Sequence, residues 1–281
     1  VDVDIDTMAI SYENIKSAIN KNTKAIVLVH ALGFNGINDK IIQLAKEHNL
    51  ILIEDCCEAH GAKYGDKKVG TFGDMSCFSF YFGHHMTTIE GGMVCTDDEE
   101  IYELARMFRS HGMTREASAK THAKYAKPDV NPLFTFAVPG YNMRSSEINA
   151  VLGLVQLPRL DNTISVRCNN LKIWLDNLDS NRYLTKYTDR GNSNFALPLI
   201  VKEDIMSQVC TILEQEKVEY RLGTAGGGNQ ARQPYLEKFL YKTVGALKNS
   251  NFIHDKGLYI GNHTDLTEKQ IINLCKKLNN V

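Results

Sequence analysis

The chain predicts an α/β fold, with a mostly parallel sheet sandwiched by helices, on three observations. Two near-continuous apolar runs of strand length, Lys24 to His30 and Leu50 to Glu54, flank an amphipathic stretch from Ile37 to Asn49. The links between them are short, and strand, helix, strand in quick succession marks a βαβ unit and so a parallel sheet. Asp55 falls at the carboxyl end of the second run, where such sheets bind their ligands.

Taken in order, Val1 to Asp6 alternates valine or isoleucine with aspartate and suits an edge strand. Ser11 then caps a helix over Tyr12 to Ile19. The runs at 24–30 and 50–54 are apolar enough for strands buried on both faces. After a glycine-rich segment (Gly61, Gly65, Gly70, Gly73) come a strand over Met75 to Phe80, a polar loop, and a strand over Met93 to Thr96. Asp97 and Asp98 start a helix reaching about Arg109. From Gly112 to Pro139 the periodicity dissolves into a polar stretch carrying Arg115, Lys120, Lys124 and Lys127, which reads as a long loop, either functional or poorly ordered. Ser145 and Ser146 precede a helical run from Glu147 to about Leu178, interrupted near Pro158. That run bridges from a large domain (1–160) into a smaller α+β C-terminal domain (161–281). The smaller domain is expected to use strands near Asn194 to Val201 and Val218 to Leu222. Its helices would cover Ile205 to Gln215 and, after the N-cap Thr267, the stretch to Leu278.

Composition bounds the function. The 281 residues are 43% apolar and 23% charged, ordinary for a globular enzyme, and the net charge of −1 gives no general attraction for nucleic acid or an anionic membrane. No apolar stretch approaches the ~20 residues needed to span a bilayer, and the acidic start, Val-Asp-Val-Asp-Ile-Asp, is unlike a signal peptide. A cytoplasmic location is therefore expected. Seven cysteines lack a disulfide-like rhythm, and the adjacent Cys56 and Cys57 suit small residues beside a strand better than a metal site. Neither Cys-x-x-Cys nor Cys-x-Cys occurs, so no iron–sulfur cluster and no other metal is expected.

The polar loop is the densest chemistry in the chain. Ser79 to Gly92 reads Ser-Phe-Tyr-Phe-Gly-His-His-Met-Thr-Thr-Ile-Glu-Gly-Gly, placing hydroxyls, two imidazoles and a carboxylate between two apolar strands. Such a loop presents small donors to a phosphate and holds a titrating ring, His84 or His85, over a bound molecule. On residue type alone, a His-His pair is equally at home as loop filler, and Asp55 as a helix N-cap.

The run resembles the cofactor-lysine segment of the nucleotide-sugar aminotransferases, the DegT/StrS group of fold-type I pyridoxal-phosphate enzymes, which reads Ser-Phe-x-x-x-Lys-x-x-Thr-x-x-Glu-Gly-Gly. His84 stands at the lysine position, as in the sugar 3-dehydratase branch of that family. Ile53-Glu54-Asp55-Cys56-Cys57-Glu58-Ala59-His60-Gly61 is similar to the family's Glu-Asp-x-x-Gln/Glu-Ala-x-Gly segment. This implies that Asp55 partners the pyridine nitrogen and that Glu58 lies near the ring hydroxyl, with an acid where aminotransferases usually show glutamine. By the same resemblance Ser79 binds the cofactor phosphate. Asn142, in Gly-Tyr-Asn-Met-Arg, reaches the phosphate of a neighbouring subunit, implying a homodimer with shared sites. Tyr220-Arg221-Leu222, Gly226-Gly227-Gly228-Asn229 and Arg232-Gln233-Pro234 resemble the dehydratases' Thr-Arg…Gly-Asn…Arg-Gln-Pro segment. That likeness makes Arg221 a candidate for a donor carboxylate or the sugar nucleotide, with His85 a further substrate contact.

Imidazole forms no Schiff base, so the implied cofactor is pyridoxamine or pyridoxal phosphate held without a covalent bond, with His84 as general base. The implied reaction is loss of the C3 hydroxyl from a nucleotide-linked 4-keto-6-deoxyhexose in deoxysugar, and so lipopolysaccharide, biosynthesis, with glutamate reloading the amine. Two rivals stand beside it: a sugar aminotransferase of the same family, and a cofactor-binding paralogue without turnover. Family members also carry a phosphate loop and an aromatic ring ahead of the stretch where this chain opens, so the resemblance implies a large domain lacking its N-terminal part.

Overall fold

The computed structural model describes residues 1–281. Helix α1 (Tyr12–Ala18) starts at Ser11, whose hydroxyl accepts the Asn14 N–H. Strand β1 (Ala25–Val29), helix α2 (Asp39–Glu47) and strand β2 (Ile51–Asp55) then form the expected βαβ unit, with β1 and β2 parallel in a register that pairs Val29 with Asp55. A short hairpin, β3 (Lys63–Tyr64) and β4 (Lys67–Lys68), precedes β5 (Met75–Ser79), which lies parallel to β2. Strand β6 (Gly92–Cys95) returns antiparallel, giving the order β1-β2-β5-β6, and leads into α3 (Glu99–Arg109), capped by Asp98.

Helix α4 (Ala119–Tyr125) follows, then α5 (Glu147–Gln156), opened by a capping box between Ser146 and Asn149. A turn at Leu157–Arg159, where Pro158 withholds its backbone donor, separates α5 from α6 (Leu160–Asn177). Beyond it come β7 (Ala196–Ile200), α7 (Met206–Gln215), β8 (Tyr220–Leu222), α8 (Lys248–Lys256), β9 (Gly257–Gly261) and α9 (Glu268–Leu278). These strands form a second, antiparallel sheet in the order β7-β9-β8.

Each sheet has its own core. Ile26, Leu28 and Leu52 pack with Ile41 and Leu44 of α2 under the first. Leu197, Leu199, Leu258 and Trp174 pack with Val209, Ile271 and Leu278 under the second. Met8, Leu32 and Phe34 join that second core although they precede it by more than a hundred residues, and Phe34 stacks on Tyr187 with ring centroids 4.7 Å apart. Trp174 Nε1–H to the Pro198 carbonyl (2.8 Å) and the Tyr183 hydroxyl to the Leu278 carbonyl (2.6 Å) satisfy the polar tips of the two largest fully buried side chains.

Three expectations are corrected. Val1–Asp6 is not an edge strand and pairs only through a single bridge, Val3 to Ile10. The Asp2 carboxylate instead accepts the backbone N–H groups of Asn249 and Ser250 and the Ser250 hydroxyl, holding the segment against α8. The central strands are not buried on both faces: α2 covers one, while Val27 and Ile51 remain 53% and 45% exposed on the other. The stretch 112–139 is not one long loop but contains α4 between turns at Thr114–Glu116 and Pro132–Phe134.

Candidate active site

The carboxyl ends of β1, β2 and β5 come together at one edge of the first sheet, and each delivers polar groups there. Asp55 is the last residue of β2 and its Oδ1 accepts the Cys57 N–H at 3.0 Å, which leaves its second oxygen free. Behind it, Glu54 points to the opposite face, where it accepts the N–H groups of Gly70, Phe72 and Gly73, each at 2.8 Å, and meets His30 at 3.3 Å. This network fixes the end of β2 to the turn before β5, so Asp55 sits on a rigid support.

Glu58 reaches the turn after β1, accepting the Leu32 N–H at 2.6 Å. Burial pushes its carboxyl up to about 7, against the pull of that N–H, and the nearby charge of Asp55 pushes it the same way. Ser79 closes β5, and its Oγ accepts the Tyr81 N–H at 3.3 Å with its own proton left to donate.

The loop after Ser79 carries His84 and His85 to different environments. His84 is half-buried, Nδ1 is covered and unpartnered, and the ring lies 5.1 Å from the Phe195 ring. Burial lowers its pKa, the Arg167 guanidinium lowers it further, and Asp55 opposes both. The ring is therefore neutral at neutral pH, the state a base needs. His85 turns inward instead: it is 4% exposed, with Nε2 at 3.1 Å from the Ser193 hydroxyl. His85, expected as a further substrate contact, thus backs the loop and exposes little of its surface.

Several site residues escaped the sequence reading. Arg167 of α6 is buried, which brings its pKa down to about 10, and it donates to the carbonyls of Phe195 (3.1 Å) and His84 (3.3 Å). It thus ties the histidine loop to the strand entering β7. The sequence did contain a sign of this, since Arg167 interrupts the buried stripe that α6 shows with Leu171 and Trp174. His60 lies beneath, with both ring nitrogens buried and unpartnered and its ring 6.1 Å from that of His84. Burial, with His84 and Arg167, lowers its pKa to about 4.

The second sheet closes the site from the other side. The N–H of Phe195 donates to the Leu32 carbonyl (3.0 Å) and that of Ser193 to the Gly33 carbonyl (2.9 Å). Only glycine fits at 33, with φ +83° and an added Cβ 1.8 Å from the Ser193 oxygen. Tyr259 follows, its ring 6.2 Å from Phe195 and paired in register with Arg221. Arg221 itself is exposed and bonded to Glu219 at 2.6 Å. Asn142 is exposed and stands apart, bridging to Ser110 at the end of α3.

A family model matches residues 1–279, that of the DegT/DnrJ/EryC1/StrS aminotransferase family. The chain belongs to this family. A GDP-4-keto-6-deoxy-D-mannose 3-dehydratase from Escherichia coli O55:H7 is 36% identical over 269 residues, covering 94% of this chain and 69% of the relative. Two solved structures of GDP-4-keto-6-deoxymannose 3-dehydratase, one described as from E. coli, each share 36% identity and a TM-score of 0.89. Each match covers 99% of this chain and 73% of the solved chain. The E. coli structure holds hydrated PLP and the other a trapped PLP-glutamate geminal diamine. The fold is thus that of the PLP-dependent members of the DegT family, as the resemblance implied.

Proposed function

We propose that this chain is a sugar 3-dehydratase that removes the C3 hydroxyl of a GDP-linked 4-keto-6-deoxyhexose, with pyridoxamine or pyridoxal phosphate held non-covalently. The observation that carries this reading is His84: an imidazole, neutral at neutral pH, occupies the loop position at which the aminotransferase motif has lysine. The 3-dehydratase relatives at 36% identity support the GDP-linked substrate and the deoxysugar product, and a 33% identical relative named as a lipopolysaccharide biosynthesis protein supports that setting.

The donor set fits such a cofactor. Asp55 has an unengaged oxygen for a protonated pyridine nitrogen, and the Ser79 hydroxyl has a proton to give a phosphate. Glu58, protonated up to about pH 7, suits the neighbourhood of a ring hydroxyl. When bound, the cofactor supplies an amine for a keto sugar and an electron-accepting ring. His84 moves a proton through Nε2, the ring nitrogen that is not covered, and Arg167 and Phe195 hold the ring in place. Arg221, at the outer end of the line His84, Phe195, Tyr259, receives the carboxylate of glutamate as amino donor or the diphosphate of the substrate. Asn142 serves a second subunit. The exposed apolar face of α5, with Ile148, Val151 and Leu154, supports a homodimer with shared sites.

Reduction with borohydride in the presence of pyridoxal phosphate tests how the cofactor is held. Intact mass is expected to stay that of the unmodified chain. A stable adduct on a lysine would overturn the reading in favour of an aminotransferase.

A further inference from the structure

Beside Asp55, two thiols that the reaction does not use complete a cluster. Cys57 lies two residues past the end of β2, and Cys77 is the register partner of Asp55 on β5. One carboxylate oxygen of Asp55 and the sulfurs of Cys57 and Cys77 all lie within 4.8 Å of one another, and all three residues are half-buried.

From this juxtaposition we infer that Asp55, Cys57 and Cys77 form a binding site for a thiophilic divalent cation of the zinc class, with two sulfur ligands, one oxygen ligand and a fourth position left to water. A tetrahedral zinc with bonds of about 2.3 Å to sulfur places its sulfur ligands about 3.8 Å apart, so groups already within 4.8 Å of one another need close by at most about 1 Å. Two thiolates and a carboxylate select zinc or cadmium over magnesium or calcium. Binding replaces the thiol protons with the metal and releases them to solvent, with no change of oxidation state.

A second group of metal-ligating side chains shows what the first has that it lacks. His30, Glu54 and Cys56 are also mutually close, but all three are fully buried. Glu54 is engaged by three N–H groups, His30 Nδ1 accepts the Gly36 N–H at 3.1 Å, and burial pushes the Cys56 thiol far up. The Glu54 carboxylate and the His30 ring are therefore already engaged. At Asp55 one carboxylate oxygen accepts the Cys57 N–H and the other makes no hydrogen bond, and all three residues are only half-buried. The adjacent cysteines that read as filler in the sequence therefore separate in the fold: Cys56 faces the core, and Cys57 faces this cluster.

Because Asp55 is also the residue assigned to the pyridine nitrogen, metal at this site excludes the cofactor, a consequence that rests on the function proposed above. The test is a titration of the full, reduced chain with Zn²⁺ against a chromogenic chelator, alone and with saturating pyridoxal phosphate. Cd²⁺ serves as a second probe through its thiolate charge-transfer absorption. One equivalent of zinc is expected to bind. Cys57→Ser and Cys77→Ser should each weaken it by more than about tenfold, since even outer partners of a metal are worth 10–100-fold, while Cys168→Ser leaves it unchanged. Absence of zinc binding, or zinc binding that survives both substitutions, overturns the site and leaves the cofactor reading intact. Zinc and pyridoxal phosphate bound together without mutual weakening would support the metal site but overturn the assignment of Asp55 to the pyridine nitrogen.

Discussion

Two side chains at the site carry protonation states that the sequence alone does not give. His84 must be neutral to accept a proton, and its pKa lies below the ordinary 6.5 because of burial and the Arg167 charge. The acid limb of kcat is therefore expected below pH 6.5, with a plateau through neutrality; a pH–rate profile that still rises above pH 7 would contradict this. Glu58 has the opposite sense. Its folded pKa of about 7 exceeds the ordinary 4.5, so between these values the folded chain holds a proton that the unfolded chain has released. Stability contributed by this group falls as pH rises through that window. Glu58→Gln keeps an oxygen for the Leu32 N–H and removes the titration. In urea unfolding the variant should gain on the parent from pH 5 to pH 8, by a difference of about 3 kcal/mol at most. A difference constant with pH would show that Glu58 does not titrate this way. Of the proposed site residues, Asp55, Glu58, Ser79 and His84 stand in ordered motifs at or beyond a strand end. The inward turn of His85 was not legible, because adjacency in sequence does not say which of two rings turns inward.

At the scale of elements, the site depends on α6 holding two strand systems together. Arg167 reaches the carbonyls of His84 and Phe195 with separate guanidinium nitrogens, and the Arg167 carbonyl in turn accepts the Asn262 side-chain amide at 3.0 Å. Arg167→Met keeps much of the packed volume but leaves both carbonyls without that donor. Loss of stability of about 1–3 kcal/mol is expected, with kcat reduced by about tenfold from a looser His84. The acid limb of the pH profile should also move upward, since a positive neighbour of His84 is gone. A variant with lower stability but an unshifted limb would reduce Arg167 to a structural role. Helices and strands with clear periodicity, α2, β2, α7 and α9, fell within a residue or two of expectation, because their apolar spacing, and for α9 the cap Thr267, mark them. Helix α8 and strand β9 were missed. Strand β9 is only five residues long and follows α8 directly, with no turn residues between them to mark the change.

Across the whole molecule, two sheets with separate cores meet where Leu32 and Gly33 pair with Phe195 and Ser193, and the candidate site lies at that seam. Long-range pairing of this kind leaves no local pattern in sequence, which is why the parallel sheet was legible and its docking on the second sheet was not. No helix is long and apolar enough to cross a membrane. The seam brings a proton-moving ring from one sheet against Phe195 and Tyr259 of the other, with Arg221 beyond. The central claim, that an imidazole in place of lysine makes the chain a dehydratase, is tested most directly by identifying the product. The chain is incubated with pyridoxal phosphate, glutamate and GDP-4-keto-6-deoxy-D-mannose, and the nucleotide sugar is analysed by mass spectrometry. A 3-deoxy keto sugar accompanied by free ammonia is the predicted result; a sugar that has kept its C3 oxygen and gained nitrogen would contradict it.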